Sequence, residues 1–130
     1  MANQLKLQII TPTRKVFDEM VDMVVLKTTE GEMGVYYDHE PVVALLKYGV
    51  IRYIQGGKKV QATVMGGFAE VTKDKVVILT DASELAEEID VNRASEAKER
   101  AQARKGQTDI DALRNEVALK KALVRLNATK

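Results

Sequence analysis

Up to Asp81 the apolar residues fall on about every second position; beyond Ile89 they fall on every third or fourth. The first period belongs to strands and the second to helices. Leu5, Leu7 and Ile9 alternate with polar neighbours, and Pro12 ends the run, because proline cannot donate to a ladder. Val21, Met23, Val25 and Leu26 form a second β-rich stretch, and VVALLK and GVIRYIQ follow, joined near Tyr48-Gly49. Gly56-Gly57 separates IRYIQ from KKVQATVM, a two-residue hairpin signal. Gly66-Gly67 breaks the next strand and predicts a bulge or a close backbone approach. FAEVTKDKVVILTD reads as a hairpin turning at Lys73-Asp74-Lys75, and Glu30-Gly31-Glu32-Met33-Gly34 reads as a turn. Many short strands with regular turn signals predict a sandwich or a barrel.

The period changes after the acidic connector ASELAEE. Asp90 is a good N-cap for a helix over 91–105, with Gly106 as its stop. Thr108 or Asp109 caps a second helix reaching Asn127, and so short a turn makes the two helices antiparallel neighbours. Ala94, Ala97 and Ala101 give the first helix a small-residue seam. On the second, Ile110, Leu113, Val117 and Val124 form one apolar stripe, with Leu119, Leu123 and Leu126 nearly opposite. A two-helix hairpin alone buries one stripe, so the other faces the β part or another protein. The organisation predicted is a β domain over 1–84 and a linker with helical hairpin over 85–130.

Composition narrows the chemistry. The 130 residues contain no cysteine and one histidine, which removes disulfides and thiolate metal sites. His39, flanked by Asp38 and Glu40, is read as a loop histidine. No phosphate-binding glycine loop, nucleophile elbow or metal-spaced cluster occurs, so catalysis has little support. No apolar run is long enough to span a bilayer and no signal peptide precedes the first strand; membrane association is expected only through partners. The net charge of +1 hides an asymmetry: residues 1–88 carry ten Lys/Arg and thirteen Asp/Glu, and residues 89–130 carry ten and six. The helical part therefore meets an anionic partner more readily. Nucleic acid fits poorly, because the aromatics lie elsewhere.

The cations are ordered. Arg93, Arg100 and Arg104 share one helical face, and Arg114, Lys121 and Arg125 repeat the spacing on the second helix. Arg93 also sits in a first turn, where a cation opposes the helix dipole by roughly 0.3–1 kcal/mol. With the apex near Gly106, Arg93 is level with Lys121 and Arg100 with Arg114. Facing stripes repel unless an anion lies between them, and guanidinium groups suit phosphate. The alternative is that each stripe is a solvated face, with Glu96 and Arg100 as an i, i+4 pair.

LKLQIITPTRKVFDEMVDMVVLKTTEGEMGVYYDHEPVVALL, VMGGFAEVTKDKVVILTDASELAEEID and ALKKALVRLN resemble, in order, the opening, the end of the β domain and the last helix of the epsilon subunit of bacterial F-type ATP synthases. The resemblance implies an N-terminal flattened β-sandwich followed by a C-terminal antiparallel two-helix hairpin. It implies a non-catalytic subunit of the central stalk of a proton- or sodium-driven machine, on the cytoplasmic face of the bacterial membrane. The implied partners are the γ subunit, the c-ring, and the α and β subunits of the catalytic head, and the hairpin is the implied mobile brake on ATP hydrolysis. In several bacterial members the folded-down hairpin binds ATP through Ile/Leu-Asp-x-x-Arg-Ala, which is matched here by Ile89, Asp90, Arg93 and Ala94. The family's further nucleotide contacts fall on Glu84, Arg100 and Arg125, with Lys121 where arginine is typical. Lysine keeps the charge and lacks the planar fork. Tyr36-Tyr37-Asp38 replaces the commoner Leu-Pro-Gly before His39. The alternative to a nucleotide sensor is a protein-interaction adaptor that binds no nucleotide.

Overall fold

A computed structural model describes the backbone of residues 3–103 and 109–130, and the side chains of all of these but 109–112. The strands are β1 (Leu5–Ile10), β2 (Lys15–Val21), β3 (Met23–Thr28), β4 (Gly31–Val35), β5 (Val42–Leu45), β6 (Tyr48–Gln55), β7 (Lys58–Met65), β8 (Phe68–Val71) and β9 (Lys75–Leu79). They form a five-stranded sheet ordered β2-β1-β9-β8-β5 and a four-stranded sheet ordered β4-β3-β6-β7. The architecture is therefore a sandwich and not a barrel. β1 and β9 pair in parallel; the other pairs are antiparallel.

Alternation decides which side chains enter the core. Leu5, Leu7 and Ile9 of β1, Val24 and Leu26 of β3, Ile51 and Tyr53 of β6, Ala62 and Val64 of β7, and Val76 and Ile78 of β9 are buried between the sheets. The Phe17 and Tyr53 rings meet at 4.7 Å between centroids. The expected hairpins at Gly56-Gly57 and between β8 and β9 are present, the latter closing with Thr72 N donating to Lys75 O. Gly66-Gly67 is a close approach: the chain leaves one sheet for the other there, and a Cβ on Gly67 would overlap the Leu79 carbonyl oxygen.

Two expectations need correction. The segment read as a turn, Glu30 to Gly34, is largely strand: the turn is confined to Thr29-Glu30, and β4 pairs with β3 from Gly31 to Val35. Its glycines are tolerated because β4 is an edge strand with a partner on one side only. ASELAEE is more than a connector. Met65 N donates to Ala82 O at 3.1 Å, Thr63 N to Glu84 O at 2.9 Å and Ser83 Oγ to Thr63 O at 2.5 Å. The linker thus covers the free edge of β7, makes one 3-10 turn at Ala86–Glu88, and enters α1 (Val91–Ala103).

α2 (Asp109–Ala128) packs antiparallel to α1 and lies across β6 and β7. Thr63 and Met65 point away from the sandwich core yet are 0% and 1% exposed, so the helix and linker cover them. The Lys120 ammonium stands 5.2 Å over the Tyr48 ring. The Gln61 amide lies 2.8 and 3.2 Å from the Ala128 and Lys130 carbonyl oxygens and, oriented with its nitrogen toward them, donates to both, satisfying groups at the end of the helix. The predicted stop at Gly106 and cap at Thr108 lie outside the described residues, as does Arg104.

Candidate anion site between hairpin and linker

Asp90 caps α1 as its sequence position predicts. Its Oδ1 accepts from Arg93 N at 3.0 Å, and its carbonyl from Ala94 N at 3.0 Å. Ile89 and Ala94 are buried and anchor the start of the helix, while the Asp90 and Arg93 side chains are exposed. The cap fixes where Arg93 stands; the arginine's chemistry is left facing outward.

The helix register comes from Asn115, whose Nδ2 donates to Ala101 O at 2.5 Å. This sets residue 101 beside 115, so Arg93 is level with 122–123 and Arg100 with 116, about half a turn from the pairing read from the sequence. Buried Ala94 and Ala101 mark the α1 face turned to α2, and Ala122 marks the reciprocal face. Arg93 and Arg100 lie roughly 100° round α1 from that seam, and Arg114, Lys121 and Arg125 lie roughly 100° round α2. Because the helices are antiparallel, both rotations lead to the same side of the hairpin. On α2 that side adjoins the face laid on the sheet, where Val124 and Ala128 are buried. The cations therefore share one side of the hairpin, and the crevice between that side and the linker, where Arg125 reaches Glu84, is the candidate site.

Glu84 stands in this crevice. Its Oε1 accepts from Arg125 Nε at 2.6 Å, with both side chains about one-third exposed. Among the described residues, Arg93, Arg100 and Lys121 form no ion pair, and the alternative Glu96–Arg100 pair does not form. The structure thus joins Glu84 to Arg125 directly, seats Ile89, Asp90, Arg93 and Ala94 in one helix start, and sets Arg100 and Lys121 along the same side.

A second clasp had no signal in the sequence. Arg14, from the β1–β2 turn, holds Glu88 in a bidentate pair at 2.8 and 3.1 Å and donates to Ser83 O at 3.3 Å. Glu88 Oε1 also accepts from Leu85 N at 2.9 Å. The Arg14 guanidinium holds the Glu88 carboxyl below the usual carboxylate range. The partners are 74 residues apart, and no periodicity connects them.

Other features do not converge on the crevice. A groove of about 790 Å³ is bordered by Phe17, Tyr53, Lys59 and Leu85, and of the predicted site residues only Ile89 lines it. His39 lies in the β4–β5 loop with Nδ1 2.7 Å from Glu40 O. Among the described residues no cluster of metal-ligating side chains occurs, and no helix is long and apolar enough to cross a membrane.

A β-sandwich that passes its chain through an edge-covering linker into a helical hairpin laid back on its own sheet defines a two-part subunit built for binding. The chain belongs to the ATP synthase Delta/Epsilon chain family: the beta-sandwich domain of that family matches residues 4–86, and its long alpha-helix domain matches 87–130. The ATP synthase epsilon chain of Desulforamulus reducens is 45% identical over 98% of each chain. That of Symbiobacterium thermophilum is 48% identical over 95% of this chain and 91% of its own. A chain of the Euglena gracilis mitochondrial ATP synthase, in a structure of OSCP, F1 and c-ring, superposes with a TM-score of 0.82 at 32% identity, covering 96% of this chain and 80% of that one. A chain of the Tetrahymena thermophila central stalk and c-ring shares the fold, with a TM-score of 0.62 at 13% identity. This is a family of non-catalytic subunits of ATP synthase.

Proposed function

We propose that the chain is a central-stalk subunit that couples the γ subunit to the c-ring and restrains ATP hydrolysis through its hairpin, with ATP as regulatory ligand. The observation that carries this reading is how the hairpin is attached. α2 rests on the sheet over its C-terminal part, where Val124 and Ala128 are buried, with Gln61 at the helix end and Lys120 over Tyr48, and the Glu84–Arg125 pair ties it to the linker. Leu113 remains 65% exposed. An element held this way exchanges one partner for another at modest cost. Raised from the sheet, the hairpin would meet the α and β subunits; laid down, it would leave them.

The β domain supplies a fixed docking face. Leu45, Phe68, Leu79 and Ile10 stand opposite one another across four strands, and Val43 and Leu45 are 66% and 65% exposed. A contiguous apolar row of this kind marks a protein contact, here assigned to γ. Membrane association is then peripheral, through the complex, on the cytoplasmic face of the bacterial membrane. The complex reconstituted without residues 89–130 is expected to hydrolyse ATP faster than the intact one; an unchanged rate would remove the brake and leave coupling.

The adaptor without nucleotide keeps one supporting observation: Arg125 already has an anionic partner within the chain. Replacing Arg93 and Arg100 by alanine separates the readings. Loss of ATP binding supports the sensor, and an unchanged titration supports the adaptor.

A further inference from the structure

β2 and β7 are edge strands of opposite sheets, and the sandwich stays open between them where β7 begins, because the linker covers β7 only as far back as the Ala62–Leu85 bridge. The groove of about 790 Å³ lies there, beside the 3-10 turn, with Phe17, Tyr53, Val60 and Leu85 in its apolar lining. Glu19 pairs with core Leu7 and stands two residues from buried Phe17, so it occupies an inward position of β2. The hydrogen bond it accepts comes from the neutral Gln55 amide, at 3.2 Å. Glu87 lines the groove from the 3-10 turn, and among the described residues neither carboxylate pairs with a cation. Tyr53 is 2% exposed, yet its hydroxyl bonds to none of the described residues and opens into the groove. Burial, with Glu19 and Glu87 adding to it, pushes that hydroxyl up to about 12, so it keeps its proton at neutral pH. An inward charge guards an edge strand against pairing with another chain, which accounts for Glu19 alone. It explains neither Glu87 nor a buried hydroxyl without a partner.

We propose that the groove binds a small organic cation, a protonated amine or guanidinium on an apolar stem, with its charge held by Glu19 and Glu87, one donated hydrogen on the Tyr53 oxygen, and its stem against Phe17, Val60 and Leu85. Ammonium and guanidinium groups donate to carboxylates in charge-assisted bonds, and the Tyr53 hydroxyl accepts one further hydrogen while passing its own to a carboxylate. The volume is that of a small-molecule site. Lys58, Lys59 and Lys130 also border the groove, but the charges that act on the Tyr53 hydroxyl are both acidic, and Lys59 lies on the opposite face of β7 from Val60. The lysines therefore stand at the rim. There they repel the flanking charges of a basic protein segment and leave the inner end to a compact monocation.

Amide NMR titration of the full chain with 2-phenylethylammonium, and with phenylacetate as a probe of similar shape and opposite charge, tests this at neutral pH and one ionic strength. The amine is expected to shift residues 17–19, 53–55 and 85–89 and to bind at least about tenfold more tightly than phenylacetate. Neutralising both carboxylates, by Glu19→Gln with Glu87→Gln, is expected to weaken the amine about tenfold, and Tyr53→Phe about fivefold. Tyr53→Phe keeps the ring and has no bond within the fold to lose, so its urea midpoint is expected to match the wild type. A lower midpoint would place the hydroxyl in the fold's own bonding and overturn the inference. No saturable shift with the amine up to about 50 mM, equal affinity for phenylacetate, or full amine affinity in either variant also overturns it.

Discussion

At Gly67 the backbone takes a φ of +96° and passes so close to Leu79 that no side chain fits. Two penalties coincide there, one conformational and one steric. Gly67→Ala is expected to destabilise the fold by about 3 kcal/mol, read from urea unfolding. Both glycines were legible, because a Gly-Gly pair inside a strand pattern has few other uses. Asp38 is the counterpart: it is not a glycine yet adopts a φ of +71°, a conformation aspartate tolerates better than most residues. Glu88 was not legible, since its partner arrives from the far end of the chain. Its carboxyl is depressed chiefly by the hydrogen bonds from Arg14. A depressed carboxyl stabilises the folded state fully above the ordinary glutamate range and loses that contribution as pH falls through its folded value. The protection of residues 83–89 against hydrogen exchange, taken relative to the intrinsic amide rate at each pH, is expected to fall on acidification in the wild type. Glu88→Gln, which keeps no charge to titrate, is expected to show lower protection already at neutral pH and little further change.

At the scale of elements, α2 shows what a periodicity leaves open. Two apolar stripes were readable, and each does find a use, but not along its whole length. Val124 is buried, while Leu113 of the same stripe is 65% exposed and Leu123 of the other is 39% exposed. Leu113 lies far along α2 from buried Val124 and Ala128, and Leu123, between buried Ala122 and Val124, is turned to the side away from the sheet; how far a sheet reaches under a helix is not written in the helix sequence. β4 was missed for a related reason: two glycines in five residues weaken the strand signal, and pairing with β3 supplies what propensity lacks. The helix pair holds its own imperfection. Asn115 donates to Ala101 O, but its Oδ1 is buried with no partner among the described residues. One unsatisfied buried acceptor weakens the pairing while the donated bond fixes its register. Asn115→Leu is expected to strengthen the helix pair by about 1 kcal/mol, seen as about fivefold slower exchange in α1 and α2; faster exchange would show that the donated bond matters more than the missing one.

Across the whole molecule, charge and architecture divide along the same line. The acidic β part presents an apolar row on one sheet, and the basic hairpin lies across the other sheet. Sequence alone showed the division, the cap at Asp90 and two ordered sets of cations. It raised, without deciding, whether Arg93 and Arg100 share one side of the hairpin with Lys121 and Arg125, because that depends on how the two helices turn toward each other. Nor did it show that Glu84 reaches Arg125 directly, because 41 residues separate them and only the linker's pairing with β7 brings them together. The central claim is that a nucleotide in this crevice holds the hairpin on the sheet. Its most direct test is amide hydrogen exchange of 91–103 and 113–128 in the full chain, with and without ATP. At one hundred times Kd the ligand adds about 2.7 kcal/mol to the docked form, so exchange through hairpin release should slow by about a hundredfold. Equal exchange with and without saturating ATP would contradict the account.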